Sequence, residues 1–402
     1  MGTRRALSST VLARRPLEDA VPNVTRAPKL LFLVTEDWYF CSHRLPVARA
    51  ARDAGFAVVV ATRVREHGEA IRREGFSLWP LAWRRGDGLF GAIRAIAEIA
   101  RLYRAERPDI VHHVALKPVL LGGLAMRLAF PFGARPALVA AVMGLGSRFG
   151  SGWTARTLGW AVRVAAGGGR VVVQNPDDGA VLQGFGIARE RIALIRGSGV
   201  DTAHFMPLPE PQGPGLAVAL VARMLRSKGV LDAVVAARRL REDGLAVDLL
   251  LAGPTDPDNP DSLDEPALAA LTGEPGVIWL GQVADVRDVW ARAHVAVFPS
   301  TYGEGVPKAL LEAAACGRPI VAADMPGSRE VVRHGETGLL VPPRDIGRLA
   351  EAIAALTQDP AARQRMGATG RVLAERDFAE SVVAEQTLAL YRAILAERKV
   401  SV

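Results

Sequence analysis

Short apolar runs of strand length alternate with helix-length segments along most of this chain. A first series of such runs occupies residues 29–34, 56–61, 76–81, 110–114, 137–142, 171–173 and 192–195. The alternation starts again with runs at 216–221, 247–252, 277–280 and 295–298. Parallel strands need a crossover connection, usually a helix, so this pattern indicates parallel sheets covered by helices. The sequence therefore predicts two α/β units in one chain.

The clearest change of composition lies between the two series. Gly197-Ser198-Gly199-Val200-Asp201 is followed by a proline-rich segment at 207–215. Turn residues of this kind are typical of domain boundaries, and 402 residues are too many for one ordinary core. We therefore predict a first domain over 29–206, a second over 207–378, and a final amphipathic helix within 379–402.

The chain is basic, with a formal charge of +8 and a pI near 10.0. Such a charge suits nucleic acid, anionic lipid or an anionic substrate. Nucleic acid is not expected, because the sequence has no recognised binding motif and no basic run with interleaved aromatic residues. A membrane surface and a phosphorylated substrate are the partners that the charge predicts.

Three further features concern location. Cys41 and Cys316 are far apart and form neither a disulfide framework nor a zinc motif, which fits a reducing cytoplasm. No apolar run reaches about 18 residues, so we expect a soluble chain without a membrane span. Residues 1–28 are basic and lack the apolar region of a secretory signal, which predicts a disordered tail or a start codon assigned too early.

The segment from Val295 to Leu340 carries the strongest functional signal. Its apolar start predicts a buried strand over 295–298, followed by a loop that begins with Pro299. Because proline is favoured at the first helical position, Pro307 predicts a helix from Val306 to about Cys316. Gly317 then ends that helix.

Two carboxylates bracket the predicted helix. Glu304 and Glu312 are eight positions apart, or roughly 12 Å at helical rise. Backbone N–H groups between Gly305 and Lys308, together with the helix dipole, make a site for an anion. The pattern favours a sugar diphosphate laid along the helix start, although glutamates at a helix start and on an exposed face are also common without any ligand.

The sequence around these two glutamates resembles that of glycosyltransferase family 4. The resemblance rests on E-G-V-P-K-A-L-L-E-A-A-A-C-G-R-P-I-V from Glu304, on 326–330 and on 335–340. It implies the GT-B fold, in which two Rossmann-like domains face each other across a cleft, and retaining transfer from a nucleotide sugar without a metal or other cofactor. It also implies that the final helix returns to the first domain.

The resemblance assigns the donor site to the second domain. Glu304 would contact the donor sugar and Glu312 the ribose, while Arg223 and Lys228 would hold the diphosphate. Without the resemblance, Arg223 and Lys228 would be interpreted as two charged residues of a solvent-exposed loop. The remaining donor-binding candidates are Gly305, Val306, Pro307, Lys308, Gly253 and Val283, the last lying where the family places the base. Asp256-Pro257-Asp258 matches a metal signature of another glycosyltransferase fold, but its setting predicts a polar surface loop.

Acceptor groups are expected on the first domain. The segment 36–44 follows the first strand as a loop, at the edge where open α/β sheets bind ligands. The candidates there are Asp37, Trp38, Tyr39 and His43. The aromatic residues of this segment could equally pack under the following helix. This part resembles enzymes that act on lipid-linked sugars in bacterial surface-polysaccharide pathways.

Two more acceptor candidates, His113 and Lys117, lie at the end of the strand at 110–114 and just after it. Lys117 lies just beyond its carboxyl end. His112 and His113 would point to opposite faces, so at most one faces the cleft, and a buried hydrogen-bonded histidine is the alternative for His113. After the next strand, where much of the family has a histidine often considered catalytic, this chain has Met143-Gly144.

Two segments remain ambiguous. The glycines of 143–150 approach a dinucleotide fingerprint, but the third falls one place late, which makes the match weak. The helix predicted over 153–165 carries tryptophan and arginine at helical spacing. It could rest on lipid headgroups or pack as an ordinary helix.

Taken together, the sequence predicts retaining transfer of a hexosyl or N-acetylhexosaminyl group from a nucleotide sugar. The resemblance implies a UDP-sugar, because UDP is the nucleotide that the family commonly uses. The predicted acceptor is a lipid-linked saccharide for capsule or exopolysaccharide, reached at the cytoplasmic leaflet of the membrane. A nucleotide-sugar epimerase of the same architecture and a non-catalytic binding protein are the alternatives. The identity of the sugar, linkage and acceptor stays open.

Overall fold

The computed structural model describes residues 26–83, 88–145, 153–212 and 215–400. Most of the tail predicted at 1–28, and residues 146–150 of the glycine-rich segment, lie outside these ranges. Within them, the chain forms two parallel sheets, each covered by helices.

The first sheet has seven parallel strands in the order β3-β2-β1-β4-β5-β6-β7. Its strands are β1 (Lys29–Glu36), β2 (Ala57–Arg63), β3 (Ser77–Pro80), β4 (Ile110–Val114), β5 (Ala137–Ala141), β6 (Arg170–Val173) and β7 (Ile192–Leu194). The order reverses between β1 and β4, which places a ligand crevice at the carboxyl ends of those two strands.

Helices cover both faces of this sheet. They are α1 (Asp37–His43), α2 (Leu45–Asp53), α3 (Gly68–Arg73), α4 (Leu89–Glu106), α5 (Leu116–Ala129), α6 (Trp153–Ala166) and α7 (Pro176–Gly184). Leu31 and Leu33 of β1 pack against α4 and α5, whereas Leu30 and Phe32 face α2. The alternation of neighbouring side chains to opposite faces explains why β1 is apolar throughout, since both of its faces are buried.

The second sheet has six parallel strands in the order β10-β9-β8-β11-β12-β13. Its strands are β8 (Leu216–Val221), β9 (Val247–Ala252), β10 (Val277–Trp279), β11 (Val295–Phe298), β12 (Ile320–Ala323) and β13 (Gly338–Val341). Its helices are α8 (Val230–Glu242), α9 (Glu265–Thr272), α10 (Arg287–Arg292), α11 (Lys308–Ala315), α12 (Pro326–Val331), α13 (Ile346–Gln358) and α14 (Pro360–Asp377). The predicted class, two Rossmann-like α/β units, is confirmed.

The last helix, α15 (Glu380–Val400), crosses back and packs on α2 of the first domain. The Tyr391 hydroxyl lies 2.5 Å from Nδ1 of His112, inside the first domain's core. The chain crosses between the two domains twice, and the two crossing segments are hydrogen-bonded to each other. Val200 N–H donates to Phe378 O over 2.8 Å, and Glu380 N–H donates to Val200 O over 3.0 Å.

Two helix boundaries differ from the expectation. The segment after β1 is not a loop: β1 continues to Glu36 and α1 begins at once with Asp37, whose carboxylate accepts from Trp38 N–H over 2.8 Å. The helix α11 begins at Lys308 instead of Val306, because Pro307 has the extended backbone of a cap residue. None of the helices in the described ranges has the length and apolar character needed to cross a bilayer.

Replacing Tyr391 with phenylalanine tests how firmly α15 is attached. Tyr391→Phe keeps the ring and removes the hydroxyl beside His112, which leaves a buried imidazole nitrogen without that partner. We expect the free energy of unfolding to fall by about 1–2 kcal/mol, measured as a lower urea midpoint.

The matched control is Val372→Ala on the exposed side of α14, which should change the free energy of unfolding by less than about 0.5 kcal/mol. An unchanged urea midpoint for Tyr391→Phe would contradict the inference that this contact stabilises the protein.

Candidate active site

The three residues predicted to be catalytic line one cavity in the second domain. Its volume is about 630 Å³, and Arg223, Lys228 and Glu304 all contribute to its wall. The other lining residues are Leu225, Ser227, Asp258, Asn259, Pro260, Asp261 and Tyr302. The cavity therefore combines cations, carboxylates and hydroxyl groups, which suits a phosphorylated polyol ligand.

Neighbouring strands deliver these residues to the same edge of the sheet. Arg223 follows β8, and Glu304 follows β11, which pairs with β8. Lys228 ends a short 3-10 turn, and Gly229 then adopts φ +75° at the start of α8. A Cβ on Gly229 would lie 2.4 Å from Pro299 O, so only glycine lets the two loops meet this closely.

Lys228 and Glu304 form an ion pair in the wall of the cavity. The Lys228 ammonium donates to Glu304 Oε1, which also accepts from Ser300 Oγ over 3.2 Å. The ammonium lies 5.4 Å from the ring centroid of Phe298. Both charged groups are largely shielded from solvent, so the pair positions a cation and a carboxylate where a ligand phosphate and a sugar hydroxyl could engage them.

The Asp-Pro-Asp segment supplies ion-pair partners. Asp256 accepts from Arg223 over 2.5 Å, and Asp258 lies 3.2 Å from Arg65 of the first domain. These contacts tie the loop after β9 to the rim of the cleft. In the part of the chain that the structure describes, no group of three His, Cys, Asp or Glu side chains is arranged to hold a metal ion.

Glu312 lies apart from this cavity, on the buried side of α11. Burial raises the pKa of its carboxyl to about 7; Lys308 acts in the opposite direction, while Asp285 and Glu380 raise the pKa further. Among the described residues its carboxyl makes no hydrogen bond. Ligand hydroxyls could donate hydrogen bonds to this carboxyl, and such bonds would stabilise its ionised form.

The first domain reaches the loop before α11. Pro307 has no N–H group, so the predicted row of amide donors is interrupted there. The Val306 N–H donates to Gln174 Oε1 over 2.8 Å, and the Lys308 ammonium donates to Ser42 O over 2.7 Å. A Cβ on Gly305 would lie 1.8 Å from Gln174 Oε1, which explains glycine at that position.

Tyr39 and His43 of α1 face these second-domain residues. Their rings stack with centroids 4.1 Å apart. Burial raises the pKa of Tyr39; Arg44 opposes that rise and the Glu304 carboxylate adds to it. Burial, together with the positive charges of Lys308 and Arg44, lowers the pKa of His43 to about 3. Two of the acceptor-side candidates therefore lie beside the donor-side groups, with His43 neutral at pH 7.

The other two candidates on α1 have different surroundings. Asp37 is fully buried, and its carboxylate accepts from the N–H groups of Arg65 over 2.7 Å and His67 over 2.9 Å. These bonds organise the loop after β2, so the prediction of an acceptor contact for Asp37 is corrected to a structural role. Trp38 is partly exposed and packs edge-on against Tyr39, with ring centroids 5.6 Å apart.

His113 and Lys117 do not line the cavity. His113 Nε2 lies 2.7 Å from the Tyr103 hydroxyl, and burial lowers the pKa of the histidine to about 3. A Cβ on Gly122 would lie 2.6 Å from the His113 ring, so the imidazole is packed within the core, and the buried alternative replaces the predicted acceptor role. The Lys117 ammonium lies 5.4 Å from the Trp83 ring centroid, between α4 and α5.

Gly253 and Val283 help to shape the loops at the same edge. Gly253 adopts φ +142°, and its N–H donates to Gly281 O over 2.8 Å. Val283 packs partly buried against the core beneath α11. Both residues lie near the sheet edge that carries the cavity, but neither of them lines the cavity around Glu304.

Residues after β5 and β6 were missed as site components. Gly144 has φ +68°, and a Cβ there would lie 2.4 Å from Gly303 O. The Asp178 carboxylate accepts from Gly144 N–H over 3.1 Å and so holds the loop after β5, which lies against the loop that carries Glu304. The sequence signal was Asn175-Pro176, a helix start whose cap Asn175 accepts from Asp178 N–H over 2.7 Å.

Comparison with known proteins agrees with this architecture. Residues 29–149 match the family model described as "Glycosyl transferase 4-like", and residues 215–359 match "Glycosyl transferases group 1". The fold resembles that of HepE from Anabaena, solved with UDP and glucose, with a TM-score of 0.73 at 19% identity, covering 91% of this chain and 99% of HepE.

Curated relatives include enzymes with different products. Alpha-maltose-1-phosphate synthase of Mycolicibacterium smegmatis is 33% identical over 277 residues, covering 61% of this chain and 70% of that protein, whereas the match to the Mycobacterium tuberculosis enzyme covers only 57% of its length. The capsular polysaccharide glycosyltransferase CapM of Staphylococcus aureus is 24% identical over 332 residues, covering 78% and 84%. On the family models and these relatives, the chain belongs to glycosyltransferase family 4.

Proposed function

We propose that this protein transfers a sugar, with retention of configuration, from a UDP-sugar to a lipid-linked saccharide in bacterial surface-polysaccharide synthesis. The observation that carries the proposal is the Lys228–Glu304 pair, which shares one cavity with Arg223 and lies beside Tyr39 of the opposite domain. UDP and glucose in the HepE structure and the capsular role in the name of CapM support the choice of donor and pathway.

The charge arrangement suggests how the leaving group is stabilised. As the bond between the sugar's anomeric carbon and the diphosphate oxygen breaks, negative charge grows on the diphosphate. Arg223 and Lys228 are placed to balance that charge, and this is electrostatic catalysis. Glu304 would then accept from donor-sugar hydroxyls, and Glu312 from those of the ribose. Because both cations belong to the protein, we expect donor binding without a metal ion.

The acceptor side suggests where the proton goes. The acceptor hydroxyl forms its bond to the anomeric carbon on the face that the diphosphate leaves. His43 is a weak base, because its pKa lies near 3. We propose that the acceptor proton passes to the departing diphosphate oxygen as that oxygen leaves, and that Tyr39 and His43 position the acceptor.

The proposed location is the cytoplasmic leaflet of the plasma membrane, with the protein attached peripherally. A lipid-linked acceptor has its anchor in the bilayer, and the net charge of +8 favours an anionic surface.

Transfer activity tests the cavity directly. Glu304→Ala should lower the rate of nucleotide release, in the presence of a polyprenyl-diphosphate-linked sugar, by about 100-fold or more, because both the sugar contact and the partner of Lys228 are lost. Glu336→Ala, an exposed glutamate before β13, is the matched control and should retain the normal rate.

Full transfer activity in Glu304→Ala would refute the donor-site assignment. Turnover of the donor with no acceptor present would favour an epimerase, and binding of the donor without release of nucleotide would favour a binding protein.

Nucleotide titration tests the donor class. We expect UDP to bind the protein in the presence of a chelator more tightly than GDP or ADP, and Glu312→Ala to weaken that binding by about tenfold or more. Isothermal calorimetry measures both. Glu351→Ala, on the exposed face of α13, is the control. Failure of all three nucleotides to bind would contradict the proposed donor site.

The raised pKa of Glu312 gives the titration a pH dependence. Ribose hydroxyls donate to the ionised carboxylate, so UDP affinity should rise about tenfold between pH 6 and pH 8, and Glu312→Gln should flatten the profile. The free energy of unfolding depends on pH in the opposite direction. The pKa of Glu312 is higher in the folded protein than in the unfolded chain, so its contribution to stability is fully present below about pH 4.5 and is lost as the pH rises through 7. A UDP affinity that is independent of pH in the unmodified protein would contradict this role.

A further inference from the structure

The middle of the first domain has no acidic residues. No Asp or Glu stands between Asp109 and Asp177 in the sequence. Over the same stretch there are seven cationic side chains: Lys117, Arg127, Arg135, Arg148, Arg156, Arg163 and Arg170. The chain as a whole has 42 acidic residues, and none of them lies in this stretch, although Arg170 at its end pairs with Glu397 of α15. This stretch supplies α5 and α6, which pack side by side.

The same region exposes large apolar side chains. Phe90 is 89% exposed, Phe132 93% and Trp160 62%. Leu89 and Ile93 on α4 and Leu124 and Leu128 on α5 are also exposed. These seven are more than half of the exposed large apolar side chains in the described ranges. Scattered single residues of this kind are ordinary on a protein surface, whereas a concentration on adjacent helices marks an interaction surface.

The three helices form one layer on one side of the first sheet. α4 packs against α5, and α5 packs against α6. We call the outer side of α4, α5 and α6, together with Phe132, the helical face. α5 alone is 14 residues or about 21 Å long, so the face is broad enough to rest on a planar surface.

The helices α4 and α6 also carry exposed arginines. Arg94 and Arg101 are exposed on α4, and Arg156 and Arg163 on α6. The two acidic residues of α4 have protein partners: Glu98 accepts from the Ala82 N–H over 3.3 Å, and Glu106 pairs with Lys29 over 2.9 Å. The unbalanced charge on the helical face is therefore positive.

We propose that the helical face docks on an anionic lipid bilayer. Aromatic side chains are suited to the headgroup level of a bilayer, with aliphatic residues reaching the acyl chains and arginines meeting lipid phosphates. A second copy of the chain fits less well, because a symmetric interface would bring these arginines against one another. The proposal assigns a surface to the membrane attachment suggested above, but docking does not require the transfer reaction, so either can fail alone.

Docking on this face would orient the active site. α4, α5 and α6 follow β3, β4 and β5, so each begins near the carboxyl edge of the sheet. α1, with Tyr39 and His43, follows β1 at that same edge. The bilayer would therefore lie beside the acceptor side of the cleft, where a lipid-linked saccharide could enter without leaving its membrane.

Vesicle sedimentation tests the proposal with the full chain and no sugar ligand. The protein should sediment with phosphatidylcholine vesicles that contain phosphatidylglycerol and not with pure phosphatidylcholine, and binding should weaken as NaCl is raised from about 0.1 M to about 0.5 M. The combined variant Phe90→Ser, Phe132→Ser, Trp160→Ser should bind the anionic vesicles about tenfold more weakly or worse. Arg156→Gln with Arg163→Gln should reduce the preference for anionic lipid by about tenfold.

The matched control places the same kinds of change on the second domain. Val372→Ser with Arg365→Gln alters an exposed apolar residue and an exposed arginine of α14, and it should leave vesicle binding unchanged. Circular dichroism and the thermal midpoint establish that each variant is folded. UDP calorimetry on the same samples reports separately on the donor site.

Three outcomes would overturn the proposal. The unmodified protein could fail to bind anionic vesicles, or the face variants could bind as well as the unmodified protein does. Alternatively, analytical ultracentrifugation could show a dimer in solution that the same apolar substitutions dissociate, in which case the helical face is an interface between copies.

Discussion

Every strand pairing in the two sheets is parallel, and this constraint fixes where the chemistry can occur. Parallel strands bring the loops that follow them to one edge, so Arg223, Lys228 and Glu304 meet although they are far apart in sequence. The ion pair between Lys228 and Glu304 then holds the loops after β8 and β11 together. Its charges are partly shielded from solvent, so they interact more strongly than a surface pair would.

The opposite domain completes the site through contacts that each involve a backbone group. Gln174 accepts from the Val306 N–H, the Lys308 ammonium donates to Ser42 O, and Gly144 lies against Gly303. None of these three contacts is an ion pair, so each can be exchanged for a ligand contact at modest energetic cost. Arg65 and Asp258 add an exposed ion pair at the rim, which solvent screens.

Local pattern predicted the strands and the second-domain motif well, because buried parallel strands are continuously apolar and turn residues delimit them. It failed where the determining partner is distant. Asp37 was predicted to contact the acceptor, but its carboxylate accepts hydrogen bonds from the N–H groups of Arg65 and His67, which the local sequence does not indicate. Gln174 was missed because its partner Val306 is 132 residues away, and for His113 only the position of Tyr103 could decide between the core and the cleft.

The paired passages between the domains have a consequence for how the protein is built. Val200 bonds to both Phe378 and Glu380, so the outgoing and returning chain form one short two-stranded connection. A relative rotation of the two sheets would pivot about that connection, because the bonds within it constrain sliding. The first sheet also takes part of its core from α15, including Tyr391, so that layer cannot be completed until α15 has been synthesised. The first domain alone is thus an incomplete folding unit, because it depends on a helix that follows the whole second domain in the sequence.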